Sequence, residues 1–553
     1  MASFSGREGH PLLKHREEYR YLVLSDLHMT AGKDPILGTW SPTEDFFWDE
    51  DFAAFLAHYG KGGRTTLVIN GDMFDFLQVL NVPTPAQAHD YGIPQSDISR
   101  RYGLRCSEVA SVFQIDAIIN GHRTAFRALA RFLAGGNHVK IIKGNHDVQL
   151  CWTTTQDRIY HRLEEVCPRG RKRLIRGNLE FLPWVFYVPD LLYVEHGNQY
   201  EAATSFTNFL YPVLPLDSTG TGRHIELDLG SFLIRYFSNR MEVLNPLADN
   251  YRPLSQYLRT FFRNHPLVFL STARDAIRYL TKAVGKAHRM TTNRKSAAYR
   301  QIVEKNAHLI RDEARRFFPR DRMKGEWLHE RLKGFNARKA APTLAKGADR
   351  FLGSLMGDPL KALVWLLPIY LLTYIPEFSG WLQAELTAGM TGWGRAFVET
   401  LFVFRIPQII LGLLLLLAAM EIRFVQRRRT RRQISLDDPA LRLRMEASYI
   451  AEQLKVPYVL FGHTHAEDTQ PLPNGSVYFN TGTWIGVFSE QENLYRNVRQ
   501  FTFAKFENGR GELLYWNPER GVAQPVVVVD AKPYLAKNRA RLLTTLWNLL
   551  RRQ

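Results

Sequence analysis

Apolar residues recur along this chain in two patterns. Short unbroken runs mark both ends: YLVL at 21–24, TLVIN at 66–70, VKII at 139–142, LLYV at 191–194 and VPYVLF at 456–461. Runs of this length, bounded by glycine and polar residues, predict buried strands. SVYFN at 476–480 adds one more. The long middle is different. In SFLIRYFSNRMEVL, PLSQYLRTFFRNHPLVFLSTARDAIRYLTKAV and SAAYRQIVEKNAHLIRDEARRFF, apolar residues return every three or four positions with Arg and Lys between. That spacing predicts helices, read as a cap packed on a catalytic core or as basic faces against a membrane surface.

Each strand-like run ends in side chains that can bind metal or move protons. YLVL is followed by Ser25, Asp26, Leu27 and His28. On an extended strand end, Asp26 and His28 face one way, and a carboxylate with an imidazole makes half a metal site. TLVIN leads to Gly71 and Asp72, with Asp75 placed to face the same pocket or to cap the next helix. VKII leads to Gly144, Asn145, His146 and Asp147. Asn145 offers a neutral carbonyl oxygen, and Asp147 is expected to orient His146 as a general acid. LLYV leads to Glu195, His196 and Gly197, and VPYVLF to Gly462, His463, Thr464 and His465. Each motif alone reads as a turn after a strand. Together they place ligands where open α/β sheets gather them, at the C-terminal ends of strands.

The order Asp-x-His, Gly-Asp, Gly-Asn-His-Asp, His-Gly and Gly-His-Thr-His resembles the calcineurin-like metallophosphoesterase family, over about residues 20–200 and 445–520. The resemblance implies an α/β fold, a four-layer α/β/β/α sandwich, with two divalent metal ions at the strand ends. It assigns Asp26, His28 and His465 to one ion, Asn145, His196 and His463 to the other, and Asp72 to both. It makes His146 the general acid or phosphate contact, with Asp147 as its partner. Two such ions roughly 3.5–4 Å apart share a hydroxide and clamp a phosphate. The mixed nitrogen and oxygen donors suit Mn, Fe, Zn or Ni better than Mg or Ca. SDLHMTAG and NGDMFDF are further similar to bacterial enzymes that cleave the pyrophosphate of UDP-diacylglucosamine, which usually carry Arg where this chain has His146.

Composition narrows the partners. The 553 residues hold 72 Lys and Arg against 54 Asp and Glu, a net charge of +18, which favours an anionic partner. The basic residues cluster beside apolar segments and not on a nucleic-acid reading element, so nucleic acid ranks low. Cys106, Cys151 and Cys167 have no ligand spacing and suggest a reducing compartment. The N-terminal stretch is charged throughout, which predicts no cleaved signal peptide. Two uncharged stretches, 362–375 and 406–420, read as a transmembrane hairpin, with a buried or interfacial hairpin as the alternative. Ligands lie on both sides of the pair, so the crossing number is even, and Arg427, Arg428, Arg429, Arg431 and Arg432 put the catalytic halves in the cytoplasm.

The expected organisation is a core in two parts, 1–200 and 427–530, split by a helical insertion at 201–355 and the hairpin at 356–426, with a basic amphipathic helix at 531–553. The expected function is metal-dependent hydrolysis of a phosphoester or pyrophosphate, in a lipid-linked substrate at the anionic inner leaflet of the cell membrane. The alternatives are a tethered protein or nucleotide phosphatase and a non-catalytic membrane scaffold.

Overall fold

The computed structural model describes residues 20–201, 203–214, 223–244, 251–252, 261, 263–269, 271–275, 278–279, 297–318, 321–337, 374–403, 405–406, 409, 412–413, 439–489 and 501–526. In chain order, the strands of its two larger sheets begin with β1 (Arg20–Leu24), β2 (Thr65–Asn70), β3 (His138–Ile142) and β4 (Leu179–Leu182). Next come β5 (Val185–Val188), β6 (Leu192–Glu195), β7 (Tyr458–Phe461) and β8 (Asp468–Pro471). Last are β9 (Val477–Asn480), β10 (Thr502–Glu507), β11 (Arg510–Asn517) and β12 (Val522–Pro525).

Both sheets are mixed. The first runs β12-β11-β10-β1-β2-β3-β4, and the second β8-β9-β7-β6-β5. Strands β1 to β4 are parallel, as are β6, β7 and β9. Parallel neighbours need long crossovers, usually helical. Asp49–Tyr59 supplies one between β1 and β2, and Glu108–Gly121 with Arg123–Ala134 the next. Three acidic residues in the first turn of Asp49–Tyr59 suit its N-terminal dipole end, and Ser107 caps the second helix through the Ala110 amide.

Side-chain alternation explains the unbroken apolar runs. Leu22 and Leu24 of β1 join Leu67 and Ile69 of β2 in a core with Phe55, Ile118 and Leu129 of these crossover helices and Leu163 of the helix Thr153–Val166 that follows β3. Val23 and Val68 between them point the other way, into a core shared with Val194, Leu460 and Phe479 of the second sheet. Tyr193, Val459 and Phe461 face outward again, onto Leu443, Ala447 and Ile450 of the helix Pro439–Leu454. Strands covered on both faces show no polar side.

Part of the long middle completes this last core. Ile302, Ile310 and Ala314 of the helix Ala297–Phe317, with Leu328 of Arg322–Ala337, pack in the same cluster as the second sheet. The membrane reading is corrected. The expected crossings at 362–375 and 406–420 lie largely outside the described residues, and the basic helix at 531–553 lies wholly outside them. Between the crossings, the helices Pro376–Thr387 and Trp393–Val403 have 12 and 11 residues, against the ~20 that a span needs. Among the described residues no helix is long and apolar enough to cross a membrane, which overturns the integral placement with cytoplasmic catalytic halves.

Candidate metal centre

The parallel strands deliver their ends to one place. Asp26 and His28 follow β1, Asp72 follows β2, Asn145 to Asp147 follow β3, His196 follows β6, and His463 and His465 follow β7. Five of these residues hold left-handed backbone without being glycine: Asp26 at φ 57°, His28 at 49°, Asp72 at 52°, His463 at 69° and His465 at 55°. Each such residue costs about 1–2 kcal/mol and persists only where its surroundings determine it. Here the loops bind one another. The amides of Leu27 and His28 donate to the Asp72 carbonyl at 2.9 Å, that of Met29 to the Met73 carbonyl at 3.0 Å, and that of Gly462 to the His196 carbonyl at 3.0 Å. The amide of His463 donates to Asp26 Oδ2 at 3.1 Å, and Asn480 Nδ2 donates to the Gly462 carbonyl at 2.9 Å.

Crowding explains the glycines before the ligands. A Cβ on Gly144 would lie 2.1 Å from Asp72 Oδ1, and one on Gly462 would lie 2.5 Å from Ser25 Oγ and 2.8 Å from Asp26 Oδ2. Only a residue without a side chain lets the ligands close in.

The donors form three overlapping groups, each with its atoms within 4.8 Å: Asp26, His28 and His465; His28, Asp72 and His146; Asp72, His196 and His463. In the first, His28 Nε2 lies 3.0 Å from His465 Nε2, and Asp26 Oδ1 lies 3.7 and 3.3 Å from the same two nitrogens. In the last, His196 Nε2 lies 3.0 Å from Asp72 Oδ2 and 3.2 Å from Asn145 Oδ1. His196 Nδ1 faces the Asn70 carbonyl at 2.8 Å, which fixes its proton there and leaves Nε2 to the site. All seven expected ligands are thus gathered. They fit a metal on the structure's own terms. Asp26 Oδ1 is buried with no hydrogen-bond partner among the described residues, and a carboxylate and imidazole set suits divalent transition ions.

Electrostatics agree. Burial would raise the Asp72 pKa, but the charges of His196 and His146 hold it well below the carboxylate range. Asp26 is likewise depressed, burial being outweighed by the imidazoles of His28 and His465 beside it. Burial would lower His196, yet Asp72 beside it pushes it up to about 9. The carboxylates stand ready as anions, and a metal, if bound, would take the place of the imidazole protons.

The expected pairing of His146 with Asp147 is corrected. His146 Nδ1 makes a short hydrogen bond to Asp75 Oδ2. Asp147 turns away, accepting from the Gly144 amide at 2.6 Å and the Met73 amide at 2.9 Å. Burial and the Asp72 charge push its pKa up to about 7. Its work is to tie two ligand loops together. Asp75 does both things foreseen for it: Oδ1 accepts from the Leu77 and Gln78 amides at 3.1 Å, and Oδ2 reaches His146 and lies 3.6 Å from His28 Nδ1. Glu195 stands apart, held by Trp184, Tyr193 and Tyr200. Sequence reasoning missed Glu201 and Thr204, which meet His463 Nε2 at 2.8 and 3.2 Å. Nothing near Glu201 in the sequence signals a ligand. No family model matches the chain, nor does any curated protein or solved structure.

Proposed function

We propose that this chain is a metal-dependent hydrolase of phosphoester or pyrophosphate bonds, on the four-layer sandwich of the calcineurin-like metallophosphoesterases that its strand-end motifs resemble. One observation carries the reading: Asp72 belongs to two donor groups, in a continuous line from Asp26 and His465 through His28 to His196 and His463. Asp26, His28 and His465 would hold one ion, Asn145, His196 and His463 the other, and Asp72 both. Two divalent ions bound there lower the pKa of a water and offset charge on the phosphoryl oxygens.

The remaining chemistry falls to His146. Its side chain is 15% exposed, and although His465 is nearly as open at 13%, His465 would be occupied by an ion, so His146 is the imidazole outside the assigned ligands that a substrate can reach. Asp75 occupies Nδ1, leaving Nε2–H to meet a leaving oxygen. Burial opposes protonation of His146, but the charges of Asp75 and Asp72 raise its pKa. The test loads the chelator-stripped protein with Mn, Fe, Zn or Ni, counts bound ions, and screens mono-, di- and pyrophosphates with and without an acyl chain. The acyl arm tests the lipid-linked class. Failure to bind metal, or turnover independent of metal, overturns the proposal.

A further inference from the structure

We propose that Glu201 is a positioning residue for His463: it holds the imidazole proton on Nε2, so that Nδ1 is the atom offered to the ion held with His196. The inference rests on the metal-dependent reading. A neutral imidazole carries one N–H, and the group that accepts it decides which nitrogen keeps a lone pair. Glu201 Oε2 lies 2.8 Å from His463 Nε2, with Thr204 Oγ1 at 3.2 Å on the same nitrogen. The Thr204 hydroxyl donates to the Asn198 carbonyl at 3.0 Å, so its lone pairs face His463. Asn198 Nδ2 returns a bond to the Thr204 carbonyl at 3.0 Å. The turn after His196 is therefore closed on itself and carries its acceptors to His463 as a unit.

His196 shows the opposite arrangement. The Asn70 carbonyl takes its Nδ1–H, and Nε2 faces Asp72. The two rings lie 5.3 Å apart between centroids, and with Glu201 on His463 Nε2 they would present different nitrogens to one donor group. Glu201 is outside all three donor groups, so it acts through His463 and not as a ligand. It also stands where the chain leaves the core, and His463 where the chain returns, so one metal ligand depends on both flanks of the insertion.

The test titrates the chelator-stripped full-length protein with Co²⁺ and follows both sites by absorption, with thermal melting as a check of folding. Glu201→Ala should weaken one site about 10–100-fold and leave the other unchanged. Glu201→Gln keeps an amide oxygen that can accept the same proton, and it should recover most of the affinity. A loss that is equal at both sites, a Glu201→Ala protein that titrates like the wild type, or a Gln variant as weak as the Ala variant overturns the inference. Wild-type protein that binds no Co²⁺ overturns the metal-dependent reading itself.

Discussion

Replacing Asp75 with Asn removes a negative charge from between two imidazoles and changes almost nothing else. The Asn carbonyl oxygen can still accept from the Leu77 and Gln78 amides, now 3.1 Å from Asp75 Oδ1, so the turn after β2 should persist. What goes is the partner of His146 and His28. Burial alone would raise the Asp75 pKa, but the charge and hydrogen bond of His146, helped by His28, hold it at about 2 against an ordinary 3.8. A carboxyl depressed on folding adds stability above its unfolded pKa and loses it as pH falls through its folded value. The gap from 3.8 to about 2 corresponds to about 2 kcal/mol at neutral pH. Urea unfolding of chelator-treated wild type and Asp75→Asn should show that difference near neutrality. It should narrow below about pH 4 as the wild-type carboxyl protonates. A difference that is absent at neutral pH, or that grows in acid, refutes the charge pairing.

The other predictions concern the ions, the proton donor and a buried support. Asp72→Ala should lose both ions and all hydrolysis, while His465→Ala, which belongs to one donor group, should leave one ion bound; two ions per chain in the Asp72→Ala protein by metal analysis would refute the sharing. His146→Ala should slow an alkyl phosphoester by ~10²–10⁴-fold and an activated aryl ester far less, with metal content unchanged; equal losses in the two rate assays would point to phosphate binding. His122 is buried between Asp49 at 2.9 Å and Glu44 at 3.3 Å. Burial lowers its pKa, but Glu44 and Asp49 carry it up to about 10 from 6.5, so its stabilisation is full below 6.5 and fades as pH rises through 10. His122→Ala should cost about 3–5 kcal/mol in melts at neutral pH, because it takes the imidazolium from between two carboxylates, one of them fully buried, and less at alkaline pH.

What was legible in the sequence is what is local. An apolar run followed within a few residues by Asp, Asn or His needs only a short stretch of chain to be read, and β1, β2, β3, β6 and β7 all end that way. The strands followed from the same runs, and Leu22, Val23 and Leu24 do bury on alternate faces; a second sheet was expected only from the family resemblance. The partners of the ligands were not legible. Asp147 is the neighbour of His146 in the chain, but two amides, those of Gly144 and Met73, claim its oxygens. The carboxylate that reaches His146 comes from the end of another strand, where it had read equally well as a cap. Glu201 finds His463 across the whole insertion. Sequence neighbours are set by the chain, whereas hydrogen-bond partners are set by which strand ends lie side by side.

The membrane reading failed for a related reason. Apolar composition reports a preference for leaving water and does not say what receives the side chains. Val459 and Phe461 also come from an unbroken apolar run, and they bury against the helices of the middle segment and Pro439–Leu454. The helices described between the two apolar stretches are too short to span. The ligand motifs rest on a different kind of evidence, convergence. A buried Asp26 oxygen without a hydrogen bond among the described residues, three imidazoles turned toward carboxylates, and five strained non-glycine backbones are each costly alone. Gathered at one edge of two sheets, they point to an electrophile that all of them would share.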